Sequence, residues 1–281
     1  RTYRGVATVP HKPSHPLCPI HPPTGAPPPR AGHPGNRPRR PSRVERLIFP
    51  GDPVRTVIRA VGFDLDETLA VPERDRSTLL SEAVREADAE DVLADLTRES
   101  YLDAHREHSG DRTREPVFAA LVDEHTNGGG GVDPARLADT YRRVVEASLV
   151  PVEGAAGLVR TLRESYRVGL LTDGPVRTQR GKLETLGWTG LFDAVVVTGD
   201  LPEPKPDVRT FRRLLDALDA DPGEAVFVGD HPDADVAGAA AAGIFAVQVC
   251  YPGGPEPHPD ADATLDRADL VDRLPEVVGS L

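Results

Sequence analysis

Apolar residues recur along this chain in two alternating rhythms. Short runs bounded by polar and turn residues have the length and branching of buried strands. They are Val57-Ile58-Arg59-Ala60-Val61-Gly62-Phe63, a run over 168–172, Ala194-Val195-Val196-Val197-Thr198, Ala225-Val226-Phe227-Val228-Gly229 and a run over 244–249. Between the later runs, apolar positions fall at helical spacing and predict helices over 154–165, 175–187, 207–220 and 232–242. Strand and helix in alternation predict an α/β fold with a doubly wound, largely parallel, Rossmann-like sheet.

One segment breaks the alternation. From about residue 72 to 150 the pattern is helical alone. Ser77 reads as an N-cap, followed by Leu79, Leu80, Ala83, Val84 and Ala87 at helical spacing. Further helices are expected from Asp91 to His108 and from Glu115 to His125. Asn127 and the four glycines after it then interrupt the chain, and Pro134 opens a fourth helix at its first turn. The domain plan is therefore a core of residues 54–71 and 151–281, with an all-helical insertion of residues 72–150 after the first strand.

Composition changes the picture at one end. The chain has 281 residues and a net charge of −12. Residues 1–53 nevertheless carry 9 Lys+Arg against 2 Asp+Glu, together with 14 of the 29 prolines. Such a segment buries too little apolar surface to offset its ordering entropy, and it is expected to be a disordered or polyproline-like tail. The remainder is strongly acidic, which argues against nucleic acid as a partner of the core. No run is long enough to span a bilayer. Two cysteines, Cys18 and Cys250, make no disulfide framework, so a reducing cytoplasm is the expected compartment.

The candidate chemistry lies where the strands end. Asp64 and Asp66 follow the first strand two residues apart, so both side chains are expected on one side. Two carboxylates this close can share a divalent cation and a substrate, one attacking and the other moving protons. The second strand ends in Thr172-Asp173-Gly174. Lys205 follows the third within Pro204-Lys205-Pro206-Asp207, and the fourth ends in Asp230, with Asp233 and Asp235 close behind. Open α/β sheets bind ligands at the C-terminal ends of their strands. Lys205 stands out further because the chain has three lysines, Lys12, Lys182 and Lys205, against thirty arginines.

These four motifs in register resemble the haloacid dehalogenase-like (HAD) superfamily, from about Val57 to Val249. The insertion after the first motif is similar to the helical C1-type cap of its subfamily I. The resemblance implies Asp64 as the nucleophile, forming an aspartyl-phosphate, and Asp66 as the general acid/base. It implies Thr172, the Asp173 backbone, Gly174 and Lys205 as the phosphate cradle. Mg²⁺ is implied at Asp64, the Asp66 backbone carbonyl and Asp230, with Asp235 orienting a metal-bound water or the lysine. Repulsion between Asp64 and Asp66 is expected to raise the pKa of one of them. Asp233 reads instead as a helix-start charge favoured by the macrodipole.

The expected activity is a Mg²⁺-dependent phosphatase for a small phosphorylated metabolite of the sugar phosphate, phosphoglycolate or nucleotide class. It is expected to work as a monomer or homodimer without membrane contact. A phosphomutase is the alternative, although Glu67-Thr68 resembles phosphatases more than the Gly-Val of many sugar phosphomutases. A third reading is a non-catalytic binder of phosphorylated ligands on the same fold. Dehalogenation is disfavoured, since family members with that activity lack the carboxylate at the Asp66 position. His105, Arg106, Arg112, Arg114, Arg142 and Arg143 could meet an anionic substrate, but each is expected on a solvated helix face. Trp188 is expected to pack rather than recognise.

Overall fold

The computed structural model describes residues 57–108, 113–126 and 131–281. The expected tail of residues 1–53, Arg112 and most of the glycine run therefore lie outside the described residues.

The chain enters at β1 (Ala60–Phe63) and turns into a short strand, β2 (Ala70–Pro72). Five helices follow: α1 (Arg76–Glu86), α2 (Glu90–Leu93), α3 (Arg98–Glu107), α4 (Glu115–Thr126) and α5 (Pro134–Ser148). β3 (Leu149–Pro151) brings the chain back, pairing antiparallel with β2. The alternation then resumes with α6 (Ala155–Leu162), β4 (Arg167–Thr172), α7 (Val176–Thr185), β5 (Ala194–Val197) and α8 (Val208–Leu218). It closes with β6 (Ala225–Gly229), α9 (Gly238–Ala241), β7 (Phe245–Cys250), β8 (Ala263–Asp266) and α10 (Leu270–Ser280).

Six strands form one parallel sheet in the order β5-β4-β1-β6-β7-β8. β1 sits inside it, with Phe63 opposite Leu170 of β4 and Val228 of β6. The chain winds outward from β1 in both directions, so the crevice for a ligand opens at the C-terminal ends of β1, β4 and β6. Side-chain alternation along β1 separates two core layers. Val61 and Phe63 pack with Leu158, Val159 and Leu162 of α6 and Leu274 of α10, all buried. Ala60 joins the opposite layer with Phe211, Leu214, Leu215 and Leu218 of α8. Burying side chains of this size stabilises by roughly 1.5–3 kcal/mol each.

The insertion has a core of its own. Leu79, Leu80, Ala83 and Val84 of α1 pack against Tyr101, Phe118, Leu121, Leu137 and Tyr141 from the neighbouring helices. The Tyr101 and Tyr141 rings lie 5.1 Å apart between centroids, and Phe118 meets Tyr141 edge-on at 5.6 Å. No helix among the described residues is long and apolar enough to cross a membrane.

Local chemistry departs from the expected boundaries in several places. The N-cap of α1 is Asp75, not Ser77, because the Asp75 carboxylate accepts from the backbone N–H groups of Ser77 (2.7 Å) and Thr78 (3.4 Å). The helix expected from Asp91 to His108 is two helices. Thr97 and Ser100 form a reciprocal capping box that starts α3 afresh. The helix expected over 232–242 begins as a π-type turn, Pro232–Ala237, before α9. Strands β2, β3 and β8 and helix α10 had no counterpart in the expected pattern. The first three are only three or four residues long, too short for a periodicity to register.

Candidate active site

The site is built where the middle strands stop. The Asp64 N–H donates to the Val228 carbonyl at 2.9 Å, extending the β1–β6 ladder to the residue that carries the first carboxylate. The chain then folds back sharply. Glu67 takes φ +60°, and the Leu69 and Ala70 N–H groups both return to the Leu65 carbonyl at 3.0 Å. Asp64 and Asp66 are thereby fixed just ahead of a tight turn at residues 67–69, with Asp66 bridged to Ala70 across it.

Asp64, Asp230 and Asp235 come together, each buried, with one carboxylate oxygen apiece within 4.8 Å of the others. Lys205 is 7% exposed in their midst. Its ammonium lies 2.7 Å from Asp64 Oδ1 and 2.6 Å from Asp235 Oδ1. The second oxygen of Asp235 accepts from the His231 N–H at 2.9 Å. Asp235 is thus bound to the lysine through one oxygen and to the backbone through the other. Gly229 leaves room for this, since a Cβ there would collide with the Asp235 carboxylate. Asp233 is exposed in the first turn of its helix, as expected.

Burial raises the pKa of Asp64 well above the usual carboxylate range, with Lys205 opposing the shift and Asp235, Asp230 and Asp66 adding to it. Burial likewise pushes Asp230 up to about 7, reinforced by Asp235 and opposed by a hydrogen bond from Tyr251. That bond runs from the Tyr251 hydroxyl to Asp230 Oδ2 at 3.2 Å. Thr68, fully buried, reaches Asp230 Oδ1 at 3.5 Å.

Asp66 behaves differently. Its carboxylate does not join the converging three; it turns to α7 and α1. Lys182 Nζ lies 2.7 Å from Oδ1 and 2.5 Å from Oδ2. Arg76 Nη2 donates to Oδ1 at 2.9 Å, and Gln179 Nε2 to Oδ2 at 3.0 Å. Although burial works against it, Lys182 and Arg76 hold this carboxyl far below the usual range. Thus the expected rise falls on Asp64, and it comes from burial first, with the Asp66 charge contributing least.

The phosphate-cradle candidates also converge. Thr172 is buried at the end of β4, and its hydroxyl oxygen accepts from Gln179 Nε2. That leaves the hydroxyl proton free to donate. The Asp173 carboxylate accepts from the Lys205 N–H at 3.2 Å. Gly174 adopts φ +127°, a conformation glycine tolerates, and its N–H donates to Thr198 Oγ1 at 3.3 Å. A cavity of about 660 Å³ opens over Asp64, Asp66, Thr172, Asp173, Lys205, Asp230 and Asp235, and Arg76 and Arg98 also line it.

The cations first considered for substrate contact disperse. Arg142 pairs with Asp139 and Glu146, Arg143 approaches Glu86, and Arg106 pairs with Asp103. Arg114 donates to Thr178 Oγ1 at 3.2 Å and, with His105 and Arg106, lines a smaller cavity beside Asp173 and Lys205. Trp188 is buried and packs edge-on with Phe192.

The family model for haloacid dehalogenase-like hydrolases matches residues 58–243, a span that holds every one of the strand-end groups just described. The chain belongs to that family. Its HAD-like relatives include the phosphoserine phosphatase of Thermus thermophilus, 38% identical over 151 residues, 52% of this chain and 59% of that one. The match thus spans about three-fifths of that relative. The ribulose-1,5-bisphosphate 5-phosphatase of Halopiger xanaduensis is 29% identical over 74% of this chain and 90% of its own. Among solved structures, a 2-haloacid dehalogenase from Pseudomonas syringae superposes with a TM-score of 0.60 at 25% identity. That superposition covers 80% of this chain and 99% of that one.

Proposed function

We propose that this HAD-like protein is a Mg²⁺-dependent phosphatase that hydrolyses a small phosphorylated metabolite through an aspartyl-phosphate on Asp64. The observation that carries the reading is the convergence of Asp64, Asp230 and Asp235 on Lys205 at the strand ends. Phosphate esters hydrolyse extremely slowly unaided, so a catalyst must supply a nucleophile, positive charge and a proton for the leaving group. Asp64 supplies the carboxylate oxygen that bonds to phosphorus as the ester P–O bond breaks. Asp66, kept ionised by Lys182 and Arg76 before substrate arrives, relays to the departing oxygen the proton that a phosphate monoanion brings in. It later takes one from the water that attacks phosphorus and releases phosphate from Asp64. Lys205 and the Thr172 hydroxyl stabilise the transferring group.

The donor set suits Mg²⁺. Hard carboxylate oxygens, two of them with raised proton affinity from burial and mutual repulsion, are answered by a single ammonium, and a divalent cation relieves the excess. Asp64, Asp230 and the backbone carbonyl of Asp66 would hold it, and bound there it would neutralise phosphate charge. In this reading the helices α1–α5 serve as a mobile cap. With the one described cysteine, Cys250, free, the protein acts in the cytoplasm.

The wall of the cavity also bears on the substrate. Arg98 is half-buried there and forms no ion pair among the described residues; its guanidinium sits 5.9 Å from the Tyr101 ring centroid. It stands in the first turn of α3, where the macrodipole disfavours a cation. A guanidinium on the cavity wall, with Asp75 as its acidic neighbour and no direct ion pair, supports a leaving group with a second negative charge, a carboxylate or another phosphate. Dehalogenation does not suit a site that carries Asp66. The test is phosphate release from sugar phosphates, nucleotides and phosphoglycolate, with Mg²⁺, with chelator and with Asp64→Asn. Release that requires both metal and Asp64 supports the reading. Release that survives Asp64→Asn, or none from any ester, refutes it.

A further inference from the structure

We propose that Lys182, with Gln179 one helical turn before it, is the positioning residue for the acid/base Asp66. This rests on the phosphatase reading and goes beyond it, because neither residue belongs to the strand-end motifs. Both lie on α7, whose buried face is Thr178, Gln179, Lys182 and Leu183. That spacing usually carries an apolar stripe, and here three of its four residues are polar.

Lys182 is 2% exposed, which is rare for a lysine unless it is paired. Its ammonium bridges both oxygens of Asp66, at 2.7 and 2.5 Å. Gln179, fully buried, uses one amide nitrogen to join Asp66 Oδ2 to the Thr172 hydroxyl. α7 therefore holds the proton-transfer carboxylate and the phosphate-binding hydroxyl in one frame. Asp66 sits just before the tight turn after β1, where its backbone forms only an isolated bridge to Ala70 and leaves the side-chain direction open. Its direction is set by the donors that grip it.

The grip has two halves. Lys182 and Gln179 come from the sheet-packing helix α7, and Arg76 comes from α1 of the insertion at 2.9 Å. The two parts of the chain meet along α7 as well. Arg114, just before α4, donates to Thr178, and Arg177 pairs with Asp139 of α5 at 3.1 Å. Arg76 can therefore shift with the insertion, while Lys182 keeps the carboxylate aimed from the side of the sheet.

A purely structural role predicts something else. Replacing a buried ion pair with apolar atoms is often neutral for stability, provided no charge is stranded. Asp66 keeps Arg76 and is 26% exposed, so Lys182→Met strands nothing. The fold is expected to survive.

The discriminating experiment compares leaving groups. Wild type, Lys182→Met and Gln179→Leu are assayed with Mg²⁺ on an alkyl phosphate and on p-nitrophenyl phosphate. The alkoxide must be protonated as it leaves; the nitrophenolate need not be. Comparing kcat/KM isolates the first chemical step, because later hydrolysis of the aspartyl-phosphate does not enter it. Correct general acid catalysis is worth about 10²–10⁴-fold. For Lys182→Met, kcat/KM on the alkyl ester is expected to fall roughly 100-fold, with p-nitrophenyl phosphate changed less than about threefold. Gln179→Leu also frees the Thr172 hydroxyl and is expected to lose on both esters, but at least about tenfold more on the alkyl one. Equal losses on both esters, or no loss, would overturn the positioning role. If Lys182→Met fails to fold, Gln179→Leu decides by the same ratio. Failure of the phosphatase reading shows separately, as wild-type release that is absent or survives Asp64→Asn, and it removes this role with it.

Discussion

Lys205 and Asp235 form a buried ion pair, Nζ to Oδ1 at 2.6 Å, with side chains only 3% and 2% exposed. The other oxygen of Asp235 is occupied by the His231 N–H, so this carboxylate is fully engaged in holding the lysine. Lys205 in turn reaches Asp64 at 2.7 Å. One ammonium thus ties the turn that follows β6 to the end of β1, and its own proton affinity rises well above normal through Asp235 and Asp64 despite burial.

Removing that ammonium strands its partners. Lys205→Met leaves Asp64, Asp230 and Asp235 buried together with no positive charge among them. Breaking a buried pair from one side costs about 3–5 kcal/mol. Urea unfolding without metal is expected to show a loss of that size, partly restored by Mg²⁺. An unchanged midpoint would mean the carboxylates are not ionised around Lys205.

Asp230 sets a pH dependence whose sign is fixed. Its pKa is about 7 in the folded chain, against the ordinary value of 3.8. Between these values the folded state holds a proton that the unfolded chain has lost. The resulting stability is fully present below the ordinary value and is lost as pH rises through about 7. A cation must displace this proton, and Asp64 also holds protons more tightly than usual, so Mg²⁺ affinity is expected to fall by at least roughly tenfold per pH unit below 7. Thermal shifts with and without Mg²⁺ from about pH 5.5 to 8.5 would check it. A metal-induced shift that is the same at every pH would contradict it.

Much of this was legible from the residues. The apolar runs around Phe63, Leu171 and Val228 placed β1, β4 and β6, and their polar ends placed Asp64, Thr172 and Asp230. Lys205 was legible because lysine is scarce in an arginine-rich chain. The same scarcity applies to Lys182, but a lysine within a polar helix looks solvated until the packing of α7 is known. Arg76 and Arg98 open helices where cations are disfavoured, a local cost that marks them only in hindsight. Tyr251 lies just past β7 in a segment with no periodicity at all. These residues act through contacts between elements distant in the chain, and spacing along one element does not encode such contacts.

Arg98 offers a test of substrate class that leaves the reacting groups untouched. A hydrogen bond to a charged group contributes roughly 1.5–3 kcal/mol. Arg98→Met is therefore expected to raise KM at least about tenfold for esters with a second anionic group. Esters of neutral alcohols should change less than about twofold, because no group of theirs reaches the guanidinium. Steady-state kinetics on a matched pair of esters would measure this. Equal effects on the two would assign Arg98 to the packing around Tyr101 instead.

Tyr251 links the pH dependence to a single hydroxyl. It donates to Asp230 Oδ2 at 3.2 Å and so lowers the proton affinity that burial raises. Its ring is held in place by Arg267, whose guanidinium lies 4.1 Å from the ring centroid and donates to the Glu67 carbonyl at 3.1 Å. Tyr251→Phe keeps the ring and this stacking but deletes the donor. The carboxyl of Asp230 then rises above about 7, and Mg²⁺ must displace a more tightly held proton. Affinity near pH 7 is expected to fall by up to roughly tenfold, the lower end for a charged hydrogen bond of this length. At higher pH, where the proton is gone in both proteins, the two affinities should draw together. Calorimetric titration with Mg²⁺ across that range separates the alternatives. A deficit that persists undiminished at high pH would mean that the hydroxyl acts on the bound cation's surroundings rather than on the proton of Asp230.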